Sequence, residues 1–441
     1  MRLRHPSVMA VAAVATLVLS ACSAGDLGSS DSDGGGGGKV TLTYSVGNSE
    51  ASVRTAEQVT KDFMAKNPDI TLKIEPRPEG GEGDNLVKTR LSTGEMSEVF
   101  GYNTGSLFQQ IAPEKNLTPL DDQPWVGELE DNFKKTVTAG GKVYGAPNGA
   151  FMAGAVMYNK TVYSKLNLQV PKTWAEFMAN NTKIKAAGID PIVQTYGETW
   201  TSQLFVLGDF HNVLANEPDF PEKYTNNQAK YATDPYAIKG FQHQEEAHKA
   251  GLFNKDFASA KLDDGVKRIA NGDGAHWPIL SAVASNIVAN YPDKAKDVGM
   301  FPLPGDDAAK NGMTVWTPGG IYIPKTVEGE KLDAAKKFIA FMASPEGCES
   351  QTKGSAPTGP YAIKSCKLPA DVPQVAKDIE SWVNKPGASS LALEFLSPIK
   401  GPALEQITVE VGSGIRSAKD GAALYDQDVK KQAQQLGLEG W

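Results

Sequence analysis

Alternation of strand and helix patterns across residues 40–74 is the feature that most constrains the fold. Residues 40–46 alternate apolar and polar side chains, as a half-buried strand does. Apolar residues then recur at helical spacing, at Val53, Ala56, Val59 and Phe63. A second alternating stretch follows Asn67-Pro68. This strand–helix–strand unit predicts parallel pairing with a helical crossover. Similar alternation downstream, with a helix at residues 333–342, predicts the α/β class.

Residues 1–21 have the pattern of a secretory signal peptide. Two arginines precede an apolar run at residues 8–19. That run is too short to span a membrane, which takes roughly 20 apolar residues. Residues 19–22, Leu-Ser-Ala-Cys, resemble the lipobox of bacterial lipoproteins, which implies that Cys22 is lipidated and becomes the new N-terminus. A signal peptide with a chance cysteine is the alternative.

Residues 22–38 predict a flexible tether. They are rich in Ser, Asp and Gly and include five consecutive glycines, so they cannot bury apolar area. Gly38-Lys39 does not make a phosphate loop, because Val40 stands where that motif needs Ser or Thr. About 400 residues remain, which predicts two lobes or domains.

The charge balance argues against a nucleic-acid partner. Removing Arg2 and Arg4 with the signal leaves 42 of the 44 basic side chains against 52 acidic ones. The basic residues form no cluster of the kind that nucleic-acid binding requires. We expect a monomer that is soluble beyond its membrane anchor.

Cys348 and Cys366 are the cysteines that remain after Cys22. An even pair in an oxidising compartment favours a disulfide, worth about 3 kcal/mol through its effect on the unfolded chain. On that basis, loss of the bond lowers the melting temperature but leaves ligand binding intact. A metal site and two free thiols are the alternatives, and the region lacks the histidine that a metal site would favour.

An ordered set of segments resembles the sugar-binding proteins of ABC importers, of which the maltose-binding protein is the familiar member. The segments are residues 144–147, 157–160, 170–177, 188–192, 334–341 and 344–347. Together they span nearly the whole mature chain. The resemblance implies an extracellular solute-binding protein of carbohydrate-binding family 1. It also implies an α/β, two-lobed periplasmic-binding-protein fold of type II, with a hinge and an interlobe ligand cleft.

The resemblance also implies lobe boundaries and a function. Lobe one would hold residues 39–150 and 310–352, and lobe two would hold residues 151–309 and 353–441, closing on ligand like a hinge. The protein would be lipid-anchored on the outer face of the cell membrane, without cofactor or enzymatic activity, and would deliver a sugar to ABC permease subunits. A same-fold receptor for a polyamine, an iron chelate or a sugar phosphate is one alternative, and a carbohydrate-active lipoprotein enzyme is another.

Two tryptophans are the first candidates for sugar contact, because aromatic faces match the C–H faces of a sugar ring while polar groups match its hydroxyls. Trp200 and Glu198 lie in a polar loop after a strand-like stretch, where ligands of α/β sheets bind. Trp277 follows Gly274, and the family commonly has a Gly-rich turn followed by Trp in its pocket. His276 does not match the family pattern, so its contact with ligand stays open. Burial in the core is the alternative for both tryptophans.

Other candidates lie where the resemblance places lobe crossings or where a strand ends. They are Asn48, Ser49, Glu50, Tyr102, Asn103, Phe151, Trp316, Gly319 and Gly320. The first three follow a strand and suit hydroxyl recognition, but equally suit a helix N-cap. The two glycines permit close approach of backbone to ligand, or else form a turn into the next strand.

No catalytic or metal site is predicted. His243 and His248 lie five residues apart, about 140° around a helix, whereas a zinc-protease helix needs a separation of four. We expect them on a solvated helix face. The chain also lacks the Gly-x-Ser-x-Gly elbow of the α/β-hydrolases.

Overall fold

Two β-sheets organise the computed structural model, which describes residues 39–441. The predicted signal peptide, Cys22 and the tether lie outside the described residues. The strands are β1 (Val40–Gly47), β2 (Ile70–Arg77), β3 (Val99–Tyr102), β4 (Thr138–Ala139), β5 (Lys142–Val143), β6 (Ala146–Asn148), β7 (Met152–Asn159), β8 (Asp190–Ile192), β9 (Gly274–Leu280), β10 (Val298–Phe301), β11 (Met313–Trp316), β12 (Gly319–Tyr322) and β13 (Ser389–Leu391).

The first sheet has the order β2-β1-β3-β12-β6. Strands β2, β1 and β3 run parallel, and β12 is antiparallel to both β3 and β6. The second sheet has the order β13-β11-β7-β9-β8, and β10 also pairs with β7. Here β7 is antiparallel to β9, β10 and β11. Strands β4 and β5 form a small separate hairpin.

Helices cover both sheets. The α-helices are α1 (Glu50–Lys66), α2 (Gly80–Thr93), α3 (Ser106–Gln110), α4 (Pro113–Asn116), α5 (Asp131–Thr136), α6 (Lys160–Lys165), α7 (Trp174–Ala186), α8 (Leu204–Leu207), α9 (Phe210–Asn216), α10 (Phe220–Thr225), α11 (Lys239–Lys249), α12 (Leu262–Asn271), α13 (Ala284–Asn290), α14 (Gly329–Met342), α15 (Pro345–Gly354), α16 (Gln374–Val383), α17 (Leu404–Gly412) and α18 (Ala418–Gln435). Short 3₁₀ helices span Pro124–Glu128, Thr199–Gln203, Ser281–Val283, Pro292–Asp297, Ala308–Lys310 and Leu393–Phe395.

The N-terminal strand–helix–strand prediction is confirmed. Strands β1 and β2 pair in parallel, with Val40 opposite Ile70. Helix α1 buries Ala56, Val59 and Phe63, the apolar positions that recur at helical spacing. Ser49 caps its N-terminus and Asn67 its C-terminus, so local chemistry sets both ends. The helix predicted at residues 333–342 is the greater part of α14.

Strand pairing shifts the lobe boundaries away from those expected. Strand β11 pairs with β7 and β13 in the second sheet, whereas β12 pairs in the first. The chain therefore passes between the sheets at Thr317-Pro318 rather than near residue 310. Residues Tyr361, Ala362 and Ile363, expected in lobe two, pack in the core of the first sheet. Their side chains are apolar and meet the nearest apolar core, so they belong with the first sheet.

Helix α11 buries one of its two histidines, which corrects the expected solvated face for His243, whereas His248 is half-buried. His243 is buried and stacks on Trp174, with 3.9 Å between ring centroids. Burial lowers the pKa of His243 to about 3, so it packs as a neutral aromatic ring. Within residues 39–441, no group of three or more His, Cys, Asp or Glu could hold a metal ion. Over the same residues, no helix is long and apolar enough to cross a membrane.

Candidate functional site

A cavity of about 670 Å³ lies at the carboxyl ends of β1, β2 and β3. Its volume falls in the range typical of small-molecule sites. Most of its lining comes from the first sheet and the helices that follow those strands. Met152, Ala282 and Ser285 line it from the second sheet and from the segment after β9. Both sheets therefore contribute to one concave surface.

Arg77 ends β2 and is the basic side chain among the described residues that line this cavity. One guanidinium nitrogen, Nη2, donates to the carbonyl of Gly101, and Nη1 donates to the carbonyl of Pro78 at 3.4 Å. Its Nε has no hydrogen-bond partner, although the residue is only 8% exposed. Burial lowers the pKa of the guanidinium, but arginine stays protonated in proteins. Two of the five guanidinium N–H groups of Arg77 thus bond backbone carbonyls, and its Nε makes no hydrogen bond.

Tyr102 ends β3 and places a second polar group at the cavity. Its hydroxyl lies beside the Asp84 carboxylate, and the residue is 5% exposed. Burial raises the pKa of Tyr102, and the negative charge of nearby Asp84 raises it further. Asn103 follows in the chain and its Nδ2 donates to Asp84 Oδ1 at 3.4 Å. A hydroxyl can donate a hydrogen bond and a carboxylate can accept one. A pair of this kind is therefore suited to a ligand whose own hydroxyl groups both donate and accept hydrogen bonds.

Ser49 and Glu79 connect the start of α1 to the segment after β2. The Ser49 hydroxyl accepts from the Ser52 backbone N–H and donates to Glu79 Oε1 at 2.9 Å. Ser52 Oγ donates to the same carboxylate oxygen at 3.2 Å. The Glu79 carboxylate is thereby held at the cavity rim, where it lines the opening.

The first passage between the sheets forms part of the cavity wall. We define the crossing as residues 148–152. Gly149 has a φ of 110°, which favours glycine, and its N–H donates to Gln351 Oε1 at 2.8 Å. Phe151 N–H donates to the carbonyl of Pro360 at 2.8 Å. Gln351 of α15 and Pro360 after that helix therefore brace the crossing from one side.

Three of the predicted contact residues line the cavity: Tyr102, Asn103 and Gly319. Asn48, Ser49 and Glu50 are exposed beside it without lining it, and Ser49 takes the capping role that was the alternative. Among the remaining candidates, Gly320 is buried within β12, and Phe151 is 3% exposed in the first core. The structure thus brings the strand ends together but leaves much of the predicted set outside the cavity.

Trp277 is a core residue and not a wall of the cavity, which corrects the prediction. It lies in β9 with no exposed surface, packed in the core of the second sheet. A Cβ at Gly265 of α12 would lie 2.4 Å from the indole, so the helix packs directly on the ring. The preceding His276 is also fully buried, between the Tyr163 hydroxyl at 2.6 Å and Asn181 Oδ1 at 2.8 Å. Its ring therefore does not face the cavity.

Trp316 and Trp200 also lie outside the cavity. Trp316 is 6% exposed, and its Nε1 donates to Glu394, which pairs with Lys400 at 2.7 Å. Trp200 sits in the 3₁₀ helix Thr199–Gln203, half-buried against the second core, with Glu198 capping that helix. In this structure both rings contribute to packing.

Sequence reasoning missed the cavity residues Arg77, Glu79, Asp84, Asn148, Gln351 and Tyr361. The sequence does contain a signal for Arg77, Glu79 and Asp84. The rule that ligands bind beyond the carboxyl ends of strands, which singles out Asn48 and Tyr102, applies equally to β2 and the residues after it. Gln351 and Tyr361 reach the cavity from far along the chain, and nothing in their local sequence marks them.

Comparison with known proteins places this architecture among solute receptors. The chain is 24% identical over 371 residues to the multiple sugar-binding protein of Streptococcus mutans, covering 82% of this chain and 83% of that protein. It is 26% identical over 324 residues to the sn-glycerol-3-phosphate-binding periplasmic protein UgpB of Shigella flexneri, covering 66% and 68% of the two chains. The solved structure of the binding protein RafE in complex with raffinose matches with a TM-score of 0.73 at 20% identity, covering 90% of this chain and 99% of that one.

These matches agree with the two-sheet fold and with the segments that carry the resemblance. The structural match covers 90% of this chain, which supports the two-lobed periplasmic-binding-protein fold. The family described as bacterial extracellular solute-binding protein matches residues 47–347, well over half of the chain. The chain belongs to the family of bacterial extracellular solute-binding proteins.

Proposed function

We propose that this protein is the receptor of an ABC importer and captures a neutral sugar or oligosaccharide in the cavity at the ends of β1, β2 and β3. The observation that carries the proposal is the pairing of hydrogen-bond donors with a carboxylate at the cavity floor. Arg77, Tyr102 and Asp84 all line this cavity, Arg77 Nε makes no hydrogen bond, and the Tyr102 hydroxyl lies beside the Asp84 carboxylate. A sugar hydroxyl can accept from the first two and donate to the third.

The charge of the lining favours a neutral ligand over a phosphorylated one. Among the described lining residues, one basic side chain, Arg77, faces two carboxylates, Glu79 and Asp84. Each Nη atom of Arg77 already donates to a backbone carbonyl, and the two carboxylates would repel a phosphate that approached the guanidinium. Relatives bind solutes of both kinds, since their names include sugars and sn-glycerol 3-phosphate.

A thermal-shift screen of the purified protein tests this function. The panel contains neutral mono- and oligosaccharides, sn-glycerol 3-phosphate and spermidine. Because a ligand that binds only the folded state stabilises by RT ln(1 + [L]/Kd), a neutral sugar should raise the melting temperature. A shift with the phosphate or the polyamine alone would instead indicate one of the alternative receptors. Product formation from an oligosaccharide would indicate an enzyme.

Asp84→Asn and Tyr102→Phe test the site itself with near-isosteric changes. Each removes one polar group that we assign to the ligand, so each should weaken binding of the sugar found in the screen by about tenfold, the equivalent of about 1.4 kcal/mol. Neither change opens a core cavity, so the melting temperature without ligand should stay close to that of the parent. Asn132→Asp, outside this cavity, serves as a control that should bind normally. Normal binding by both test variants would place the ligand elsewhere.

We further propose that the strand pairing and cores divide the chain into two lobes, with crossings near Gly149 and Thr317-Pro318. The exported protein would be a monomer, held on the outer face of the cell membrane by a lipid on Cys22 and a tether of residues 22–38. Cys22→Ala should leave the precursor uncleaved or release the protein from the membrane. Unchanged processing and unchanged detergent partitioning of that variant would refute the anchor.

A further inference from the structure

The two body cysteines enclose a segment that forms one wall of the cavity. Cys348 and Cys366 are bonded across a sequence separation of 18, and we call the residues they enclose the 348–366 loop. Several of its residues line the cavity, namely Gln351, Ser355, Ala356, Pro357, Thr358 and Tyr361. The bond therefore closes a loop whose middle faces the ligand position.

The same loop is bonded to the crossing between the sheets. Gly149 N–H donates to Gln351 Oε1, and Phe151 N–H donates to the carbonyl of Pro360, both at 2.8 Å. Ala150 and Tyr361 form an antiparallel bridge between these two bonds. The loop is thus attached to the segment that a hinge motion would bend.

Much of this wall is irregular backbone, although Tyr361, Ala362 and Ile363 pack in the core of the first sheet. Between the end of α15 at Gly354 and the start of α16 at Gln374, the chain has no helix or extended strand. On the far side of the wall, Glu130 N–H donates to Ala362 O at 3.0 Å and Lys364 N–H donates to Glu128 O at 2.7 Å. Ordering so long an irregular segment costs conformational entropy, and a covalent link between its ends reduces that cost.

We propose that Cys348 and Cys366 are positioning residues for the cavity, because their bond holds the 348–366 loop against the crossing in the shape that the ligand needs. Cys348 is anchored in α15 at 3% exposure, so the bond transmits the rigidity of that helix to the loop end at Cys366. The affinity part of this proposal rests on the proposed function. It departs from the expectation that the bond acts chiefly on the unfolded chain and leaves ligand binding intact.

Hydrogen exchange of the ligand-free protein tests the positioning directly. In the Cys348→Ser/Cys366→Ser double variant, the amides of Phe151, Glu130 and Lys364 should exchange at least about tenfold faster, since their acceptors or donors lie in or against the loop. Amides of β1 and β2, which hydrogen-bond to neighbouring strands and not to the loop, should keep their protection. Unchanged exchange at the first three amides overturns the proposal, whatever the ligand proves to be.

Ligand affinity tests whether the position of the loop affects binding. At a temperature where both proteins are folded, the double variant should bind the sugar from the screen about tenfold more weakly, as expected when a binding wall must be ordered on association. Trp277→Phe, which disturbs the second core, is the control: it should lower the melting temperature and leave affinity unchanged. Faster exchange with unchanged affinity overturns the proposal. If no solute binds even the parent protein, the proposed function fails, while the exchange result still decides the positioning.

Discussion

At the scale of single residues, the same side chain serves different purposes according to the face it occupies. Tyr102 ends β3 and Trp277 lies in the middle of β9, and both are buried aromatic residues that carry a polar atom. Tyr102 faces the cavity, where a ligand can satisfy its hydroxyl, whereas Trp277 faces α12 and is sealed in the core. Residue type alone therefore does not identify a contact residue, because the orientation of the strand decides which side chains face the cavity.

His276 gives the fold a defined response to acid. Burial lowers its pKa from 6.5 to about 3 in the folded protein. Between these values the unfolded chain binds a proton that the folded chain does not, so stability falls as the pH falls from about 6.5 toward 3. One such group accounts for about 1.4 kcal/mol per pH unit, or about 2 kcal/mol between pH 6.5 and 5.

Urea unfolding of the parent and of His276→Gln at pH 7 and pH 5 measures the contribution of His276 to the pH dependence of stability. The variant should be less stable at pH 7, because it loses the contacts to Tyr163 and Asn181. Between pH 7 and pH 5, the free energy of unfolding of the variant should fall by about 2 kcal/mol less than that of the parent. Buried His211 and His243 remain in both proteins and cancel in the comparison. An equal pH dependence of the two proteins would contradict the assignment.

At the scale of elements, the sequence predicts most where a pattern is local. The first unit, from β1 through α1 to β2, follows from alternation, helical spacing and caps at Ser49 and Asn67. The cavity is predictable only in part, since strand ends indicate Tyr102 while Gln351 arrives from a distant helix. The burial of Trp277 is not evident from its local sequence, because β9 is buried on both faces and its neighbour His276 is equally buried.

The crossing, residues 148–152, allows the backbone requirement at Gly149 to be tested on its own. Gly149 has a φ of 110°, which an L side chain adopts only with strain, although space for a Cβ exists. Gly149→Ala should therefore destabilise the fold by about 1–3 kcal/mol through the backbone alone. Gly127→Ala is the matched control: nothing lies within 4 Å of a Cβ there and its φ is not positive, so its effect should be small. Chemical denaturation of both variants measures the difference, and equal stabilities would show that the crossing relaxes freely.

At the scale of the whole molecule, the chain passes repeatedly between two sheets. The passages near Gly149 and Thr317-Pro318 join β6 to β7 and β11 to β12, so each connects a strand of one sheet to a strand of the other. Polar recognition groups come mainly from the first sheet, whereas Met152, Ala282 and Ser285 approach from the second. Such a division suits a receptor in which one wall binds the solute and the other then closes over it.

Closure of this kind predicts a more compact molecule when ligand is bound. A chain of this size has a radius of gyration of about 21 Å when folded, and hinge closure around a ligand should reduce it by about 1 Å. Small-angle scattering of the purified protein, with and without a saturating concentration of the sugar from the screen, measures the change. The Asp84→Asn variant at the same sugar concentration is the control, because weaker binding should leave more of the population open. If the parent protein binds the sugar without compaction, the cavity assignment stands but the hinge motion is refuted. The two walls would then already hold their ligand-bound separation in the free protein.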